Sequence, residues 1–215
     1  MPAKRGWGIA LLFLLLALQG LDVFLARLHT PKRIEAMLKS DQCLLTLDQV
    51  GMERLQTLLT VEDPTFYENQ GLDFETPGAG LTTLSQSLGK LLYFNDYRPG
   101  IRKIRLIYLT RFALFPLASK KDILTLFINY AYLGNANGHE VRGFAHASES
   151  YFRKPFNQLS EDEYVSLVAM LISPNQYHVL AQKGKNRERV IRIKRCLKGQ
   201  CRPLDWQDDQ LEGCK

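Results

Sequence analysis

The most apolar stretch of the chain comes first. From Trp7 an almost unbroken leucine-rich run reaches Leu18, thins at Gln19 and Asp22, and resumes from Val23 to Leu28. A helix needs about 20 apolar residues to cross the hydrocarbon core of a bilayer. A run with so little polar face does not suit a helix lying half in water. The pattern therefore predicts a short tail and transmembrane anchor over residues 1–28, and the lack of a small-x-small cleavage site favours an anchor that is kept. From Thr30 to about Leu59 helical stretches alternate with short polar breaks, and helical periodicity dominates from Leu81 onward, while alternating strands are scarce. The expectation is an all-α, or mostly α, domain over residues 29–195, followed by a Cys-containing tail over 196–215.

Within that domain the helical faces differ in character. Leu81, Leu84, Leu88 and Leu91 fall on one side of a helix, and Thr83, Gln86 and Lys90 on the other. Gln86 and Lys90 are one turn apart, so an amide and an ammonium can reach one ligand; the alternative is a solvated face. The next helix, over 101–114, is expected to bury Ile101, Ile104, Ile107, Tyr108 and Phe112, with Arg102 and Lys103 away from that stripe. Leu106 projects between these two basic residues, where an amphipathic pattern ordinarily puts a polar side chain. Asn129 reads as a buried structural amide, ahead of a Gly/Asn-rich loop from Gly134 to Gly143. Ser160 and Glu163 form a capping-box pattern before the stripe Tyr164, Leu167, Val168 and Leu171, and Ser173-Pro174-Asn175 stops that helix.

Charge narrows the partners. A net charge of +6 suits nucleic acid, anionic headgroups or phosphorylated substrates. The basic run Lys183 to Lys198 reads as a solvated or headgroup-facing surface, and without a nucleic-acid fold signature no nucleic-acid partner is expected. Lys4 and Arg5 on one side of the anchor balance Arg27, Lys32 and Arg33 on the other. The short N-terminal tail and large remainder then favour a cytoplasmic N-terminus and an exported domain. Cys196, Cys201 and Cys214 cluster in the tail, where a Cys196–Cys201 bridge suits an oxidising compartment; Cys43 stands apart, to pair with one of them or stay free. The tail lacks a CxxC pair and a nearby His, so no zinc site is expected.

The chemistry concentrates where Glu62-Asp63-Pro64-Thr65-Phe66-Tyr67 precedes the helix bearing Gln86 and Lys90, an acidic side chain beside a site for an anion. Five segments in order, over roughly 55–178, resemble the peptidoglycan glycosyltransferases, glycosyltransferase family 51. The family's EDxxFxxHxG reads here as the run from Glu62 to Gly71, and GxSTITQQLxKN as the run from Gly80 to Leu91. RKxxE reads as Arg102-Lys103-Ile104-Arg105-Leu106. The fourth and fifth motifs correspond to Asn129 to Gly134, Tyr151 to Pro155 and Glu163 to Pro174. The resemblance implies a lysozyme-like α-helical fold anchored in the bacterial inner membrane, with its catalytic domain in the periplasm. It also implies lengthening of glycan strands from a lipid-linked disaccharide-peptide precursor, with other cell-wall synthesis proteins as further partners.

By the same resemblance Glu62 is the general base on the acceptor hydroxyl. Lys90, Arg102 and Lys103, with Gln86 and usually Mg²⁺, face the departing pyrophosphate; no organic cofactor is implied. Asp63, Phe66, Gly71, Thr83 and Asn129 hold motif positions. The chain departs from the pattern at Leu106, where a second carboxylate is the rule, at Asn69 for a histidine, and at Ser87 for a glutamine. Leucine offers no oxygen to a hard cation. Two readings follow: a glycosyltransferase working without that carboxylate, or a degenerate member that binds the lipid-linked saccharide or an envelope partner. An acid from elsewhere, Glu68 or Glu140, reaching the Leu106 position would favour the enzyme.

Overall fold

A computed structural model describes residues 3–78 and 82–215; Gly80 and Leu81 of the second motif lie outside the described residues. Helix α1 (Ala3–Leu38) runs without a break past Leu28. Its Trp7–Leu38 portion is long and apolar enough to cross a membrane, and its apolar window is not packed inside the protein. From its middle onward it docks on the domain. Thr30, fully buried, bonds the Tyr93 hydroxyl at 2.7 Å, Arg27 donates to the Phe112 carbonyl at 2.6 Å, and Arg33 donates to the Leu92 carbonyl.

Two short helices follow, α2 (Leu47–Val50) and α3 (Met52–Glu62), then α4 (Leu84–Tyr93) and α5 (Ile101–Leu109), the last continuing as a π-turn over Thr110–Leu114. Beyond lie α6 (Lys120–Tyr130), a hairpin of β1 (Tyr132–Ala136) and β2 (His139–Arg142), α7 (Phe144–Phe152), α8 (Glu161–Met170) and α9 (Lys183–Leu197). Their inner faces share one core that includes Leu58, Leu84, Leu88, Leu124, Leu167 and Ile193. Four helix starts carry reciprocal capping boxes, Thr46/Gln49, Thr83/Gln86, Ser119/Asp122 and the expected Ser160/Glu163. Each satisfies backbone N–H groups that the first turn leaves without partners. The mostly α, lysozyme-like expectation holds.

Helix α5 reverses its expected orientation. Ile101 is 87% exposed, Ile104 56% and Phe112, in the following π-turn, 45%, whereas Leu106 and Leu109 are fully buried. The wheel had assumed water outside and core beneath the broader apolar stripe. Here that stripe faces outward on the side of α1: Tyr108 and Phe112 line one hollow with Leu16, Val23 and Arg27. Arg105 grips Asp22 of α1 through two bonds of 2.6 and 2.8 Å. Leu106 is therefore not misplaced. It fills the α4–α5 contact, where its Cδ1 lies 3.1 Å from the point a Cβ on Gly89 would occupy.

The Gly134–Gly143 segment, expected as a loop, is largely a hairpin in which Asn135 pairs with Glu140 and Ala136 with His139. Its turn is Asn137-Gly138, both at positive φ (52° and 80°), the two-residue form that matches strand twist. The tail also differs from expectation. Cys201 pairs with Cys214, and Cys196 and Cys43 are free. Cys196 sits in the last turn of α9 against the core, so Cys201, beyond the turn, meets Cys214 instead. A bridge spanning 13 residues removes about 3 kcal/mol of unfolded-chain freedom in the loop-closure picture. The basic run is only partly solvated, because Arg189, Arg192 and Arg195 donate to the tail at Asp209, Gln210 and Cys214.

Leu106→Ala should lower stability by about 2–5 kcal/mol, the cost of emptying a fully buried leucine site, as measured by denaturant unfolding of the solubilised protein. A loss below about 0.5 kcal/mol, the range of surface substitutions, would show that Leu106 does not fill the α4–α5 contact.

Candidate active site

Glu62 is the last residue of α3, and the next residue builds the corner that aims it. The Asp63 carboxylate, 1% exposed, accepts the Leu84 N–H at 3.0 Å and the Asn69 amide at 2.7 Å, tying the end of α3 to the start of α4. Asn69 in turn accepts the Gly71 N–H at 2.9 Å, and the Thr83 hydroxyl donates to the Gly71 carbonyl at 2.7 Å. Asn69 thus ties the corner together at the position where the family pattern has histidine. Phe66 plugs the corner from below, with the Lys120 ammonium 4.6 Å from its ring centre and bonded to the Asn69 carbonyl at 2.8 Å. Asp63, Phe66, Gly71 and Thr83 are therefore scaffold for Glu62.

Glu62 opens onto a cleft of ≈ 420 Å³, whose wall also includes Lys90, Tyr97, Glu140, Arg142 and Pro174. Burial raises the Glu62 carboxyl from 4.5 to about 7; the charge of Arg189 pulls it down, and those of Asp209 and Asp63 push it further up. Removal from water penalises the ionised form, and a proton affinity near neutrality suits a group that must accept a proton at physiological pH. Asp63 is raised to about 6, again mainly by burial, against the bonds from Leu84 and Asn69 and the charge of Lys120.

One of the two expected lysines, Lys90, lines the cleft, and Lys103 lies outside its wall. Lys90 reaches the cleft with its ammonium 5.2 Å from the Tyr97 ring centre, and burial lowers its proton affinity. Lys103, from α5, is lowered to about 8 by burial and by the like charge of Lys90. It donates to Gln86 Oε1 at 3.2 Å and Thr82 Oγ1 at 3.4 Å. The charge of Lys90 thus adds to burial in disfavouring the ammonium form of Lys103.

Gln86 is 1% exposed: its Oε1 serves the Thr83 cap and Lys103, and its buried Nε2 has no hydrogen-bond partner among the described residues. Arg102 is exposed, donates to the Asp96 carbonyl and lies outside the cleft wall. Asn129 is buried and exchanges bonds of 2.9 and 2.8 Å with the Leu45 backbone, in agreement with a structural amide.

Sequence reasoning did not identify Tyr97, Arg142, Arg189 or Asp209. Arg189 and Asp209 act on Glu62 from segments far along the chain, so no local spacing marks them. Glu140 does line the cleft, ion-paired with Arg142 at 2.8 Å, whereas Glu68 is exposed and absent from its wall. A divalent cation does not fit the Leu106 position, where a fully buried hydrocarbon replaces the oxygen donor. Among the described residues no three His, Cys, Asp or Glu side chains gather as a metal site.

A family model described as Transglycosylase matches residues 31–198. The chain is 36% identical over 178 residues to penicillin-binding protein 1B of Buchnera aphidicola subsp. Acyrthosiphon pisum (strain APS), covering 73% of this chain and 23% of that protein. It is 31% identical over 171 residues to the biosynthetic peptidoglycan transglycosylase of Cronobacter sakazakii (strain ATCC BAA-894), covering 73% of this chain and 69% of that protein. Against penicillin-binding protein 1B of Escherichia coli (strain K12) it is 34% identical over 137 residues, 58% of this chain and 16% of that protein. The chain thus spans less than a quarter of the penicillin-binding proteins it matches.

A carboxyl raised in the folded state binds its proton more tightly there than in the unfolded chain, so its ionisation destabilises the fold as pH climbs from 4.5 to about 7. Glu62→Gln should therefore melt higher than the parent at pH 8 and lose that advantage near pH 4.5, in thermal scans of both proteins. A pH-independent difference in melting temperature would remove the buried-carboxyl account.

Proposed function

Because the chain belongs to the transglycosylase family, glycosyltransferase family 51, we propose that it polymerises a lipid-linked disaccharide-peptide precursor into glycan strands, with Glu62 as general base. The carrying observation is that Glu62 and Lys90 line one cleft, a proton acceptor tuned to about 7 and a cation on the same wall. In the proposed displacement Glu62 takes the proton of the acceptor hydroxyl as that oxygen bonds to the anomeric carbon of the donor. The bond from that carbon to the lipid pyrophosphate breaks, and its electron pair leaves with the pyrophosphate. Lys90 and Lys103 neutralise the growing negative charge in a partly water-excluded site, where fixed charges act strongly. Gln86 acts one step back, holding the Lys103 ammonium through its Oε1. Arg102 is assigned to the rim as an attracting charge. The family's Mg²⁺ finds no oxygen donor at Leu106, so no step is routed through a metal.

Membrane attachment belongs to the same proposal. The apolar Trp7–Leu38 helix and the outward stripe of Ile101, Ile104 and Phe112 suit a domain lying against the bilayer that holds its substrate. The reading is a single-pass inner-membrane protein with a cytoplasmic N-terminus and the cleft on the periplasmic side. Its partners are the precursor, the growing glycan and other cell-wall synthesis proteins. A second reading, a member that binds precursor without turnover, is favoured by one observation: the position of the second motif carboxylate is buried hydrocarbon.

Polymerisation of lipid-linked precursor by the full-length protein should fall by about 10²–10⁴ in Glu62→Gln, the usual worth of a general base. The parent rate should rise with pH through about 7, as Glu62 loses its proton. Precursor binding with no polymer from the parent would establish the second reading, and equal rates in parent and variant would remove Glu62 from the mechanism.

A further inference from the structure

Residues 199–215 lie beyond the family match, yet they hold two segments within it, helix α9 and the loop at Gly78. The tail is internally closed. Cys201 is bonded to Cys214, and the Asp208 carboxylate accepts the N–H groups of Leu204, Glu212 and Gly213 at 2.9, 2.6 and 3.0 Å. On one side it lies along α9, where Arg189, Arg192 and Arg195, three residues apart and hence on one face, donate to the Asp209, Gln210 and Cys214 carbonyls at 2.9, 3.2 and 3.1 Å. On the other it holds the loop leading towards α4. The Asp205 carbonyl accepts the Gly78 N–H at 2.9 Å, and Pro203 packs so closely that a Cβ on Gly78 would lie 2.7 Å from its ring.

Arg189 connects this strap to the site. It is 1% exposed and stacks over Tyr177 with 5.3 Å to the ring centre. Its Nε and Nη1 have no hydrogen-bond partner among the described residues. Its helix, α9, packs on α3, which ends at Glu62, and the carboxylates that interact with its charge are Glu62 on α3 and Asp208 and Asp209 in the tail. A buried guanidinium so sparsely bonded stays in place only if its surroundings hold it, and the tail supplies its one side-chain hydrogen bond among the described residues.

We propose that the disulfide-closed tail is a positioning element of the active site: by holding Arg189 on α9, the helix packed on the α3 that ends at Glu62, it fixes the base against the cleft. The proposal rests on the reading of Glu62 as base, and turnover then depends on the Cys201–Cys214 bond. The charges facing Glu62 are Asp63 on its own turn, Arg189 on α9 and Asp209 in the tail, with Lys90 of α4 and the Glu140–Arg142 pair of β2 on the same cleft wall.

The test uses the full-length protein with lipid-linked precursor, before and after phosphine reduction, beside the Cys201→Ser/Cys214→Ser double variant. Because displacement of a catalytic group by an ångström costs on the order of 10²-fold, partial loosening should lower kcat about tenfold with KM little changed. Amide hydrogen exchange at Gly78 should rise in the same samples. Faster exchange with unchanged kcat would make the tail a purely structural appendage and overturn the proposal, as would exchange that reduction leaves unaltered.

Two further variants separate this proposal from the reading beneath it. Arg189→Met should move the Glu62 titration, followed by carboxyl ¹³C NMR, to higher pH, and Asp209→Asn should move it lower; Arg189→Lys should restore part of the shift. Should parent and Glu62→Gln polymerise alike, the base assignment fails, while the titrations still judge the strap. Shifts of the same sign, or none, in the Met and Asn variants would refute it.

Discussion

Two consecutive carboxylates are withdrawn from water at the end of α3, and the site follows from how differently each is compensated. Asp63 is answered by the Leu84 N–H and the Asn69 amide, so its burial becomes a joint between two helices. Glu62 feels the charge of Arg189 but, among the described residues, receives no hydrogen bond, so its burial becomes proton affinity. The two acids are neighbours in sequence, yet one serves the fold and the other remains available to a substrate. A joint built on a buried ion requires every surrounding donor to stay in place, which is why Asn69, Gly71, Thr83 and Phe66 are drawn into the same corner.

The same economy of charge operates across the cleft. Lys103 is anchored to Gln86, Lys90 stands over Tyr97, and the charge of Lys90 adds to burial in lowering the proton affinity of Lys103. With Leu106 packed against Gly89, no carboxylate from α5 moderates that pair. Glu140, which stands on the cleft wall from the hairpin, is already committed to Arg142.

Features that depend on residues close in sequence were legible before the fold was known. The Ser160/Glu163 box, the turn after α8 and the buried amide of Asn129 follow from local rules, and the structure shows each. Features that depend on what surrounds the chain were not. The outward stripe of Ile101, Ile104 and Phe112 was assigned to the core because amphipathic reasoning takes water as the outer solvent. The Asn137-Gly138 pair is a local hairpin signal that the glycine-rich composition of the segment obscured. Arg189 and Asp209 reach Glu62 only through tertiary packing, and the basic run that contains Arg189 looked like an ordinary solvated face.

The central claim is that Glu62 is held as a neutral-range base by burial, with Arg189 and Asp209 setting its charge environment. Direct carboxyl titration of Glu62 by ¹³C NMR in the full-length, solubilised protein, assigned by difference from Glu62→Gln, measures this most plainly. A midpoint near 7 is the predicted result; a midpoint near the ordinary 4.5 would contradict the account.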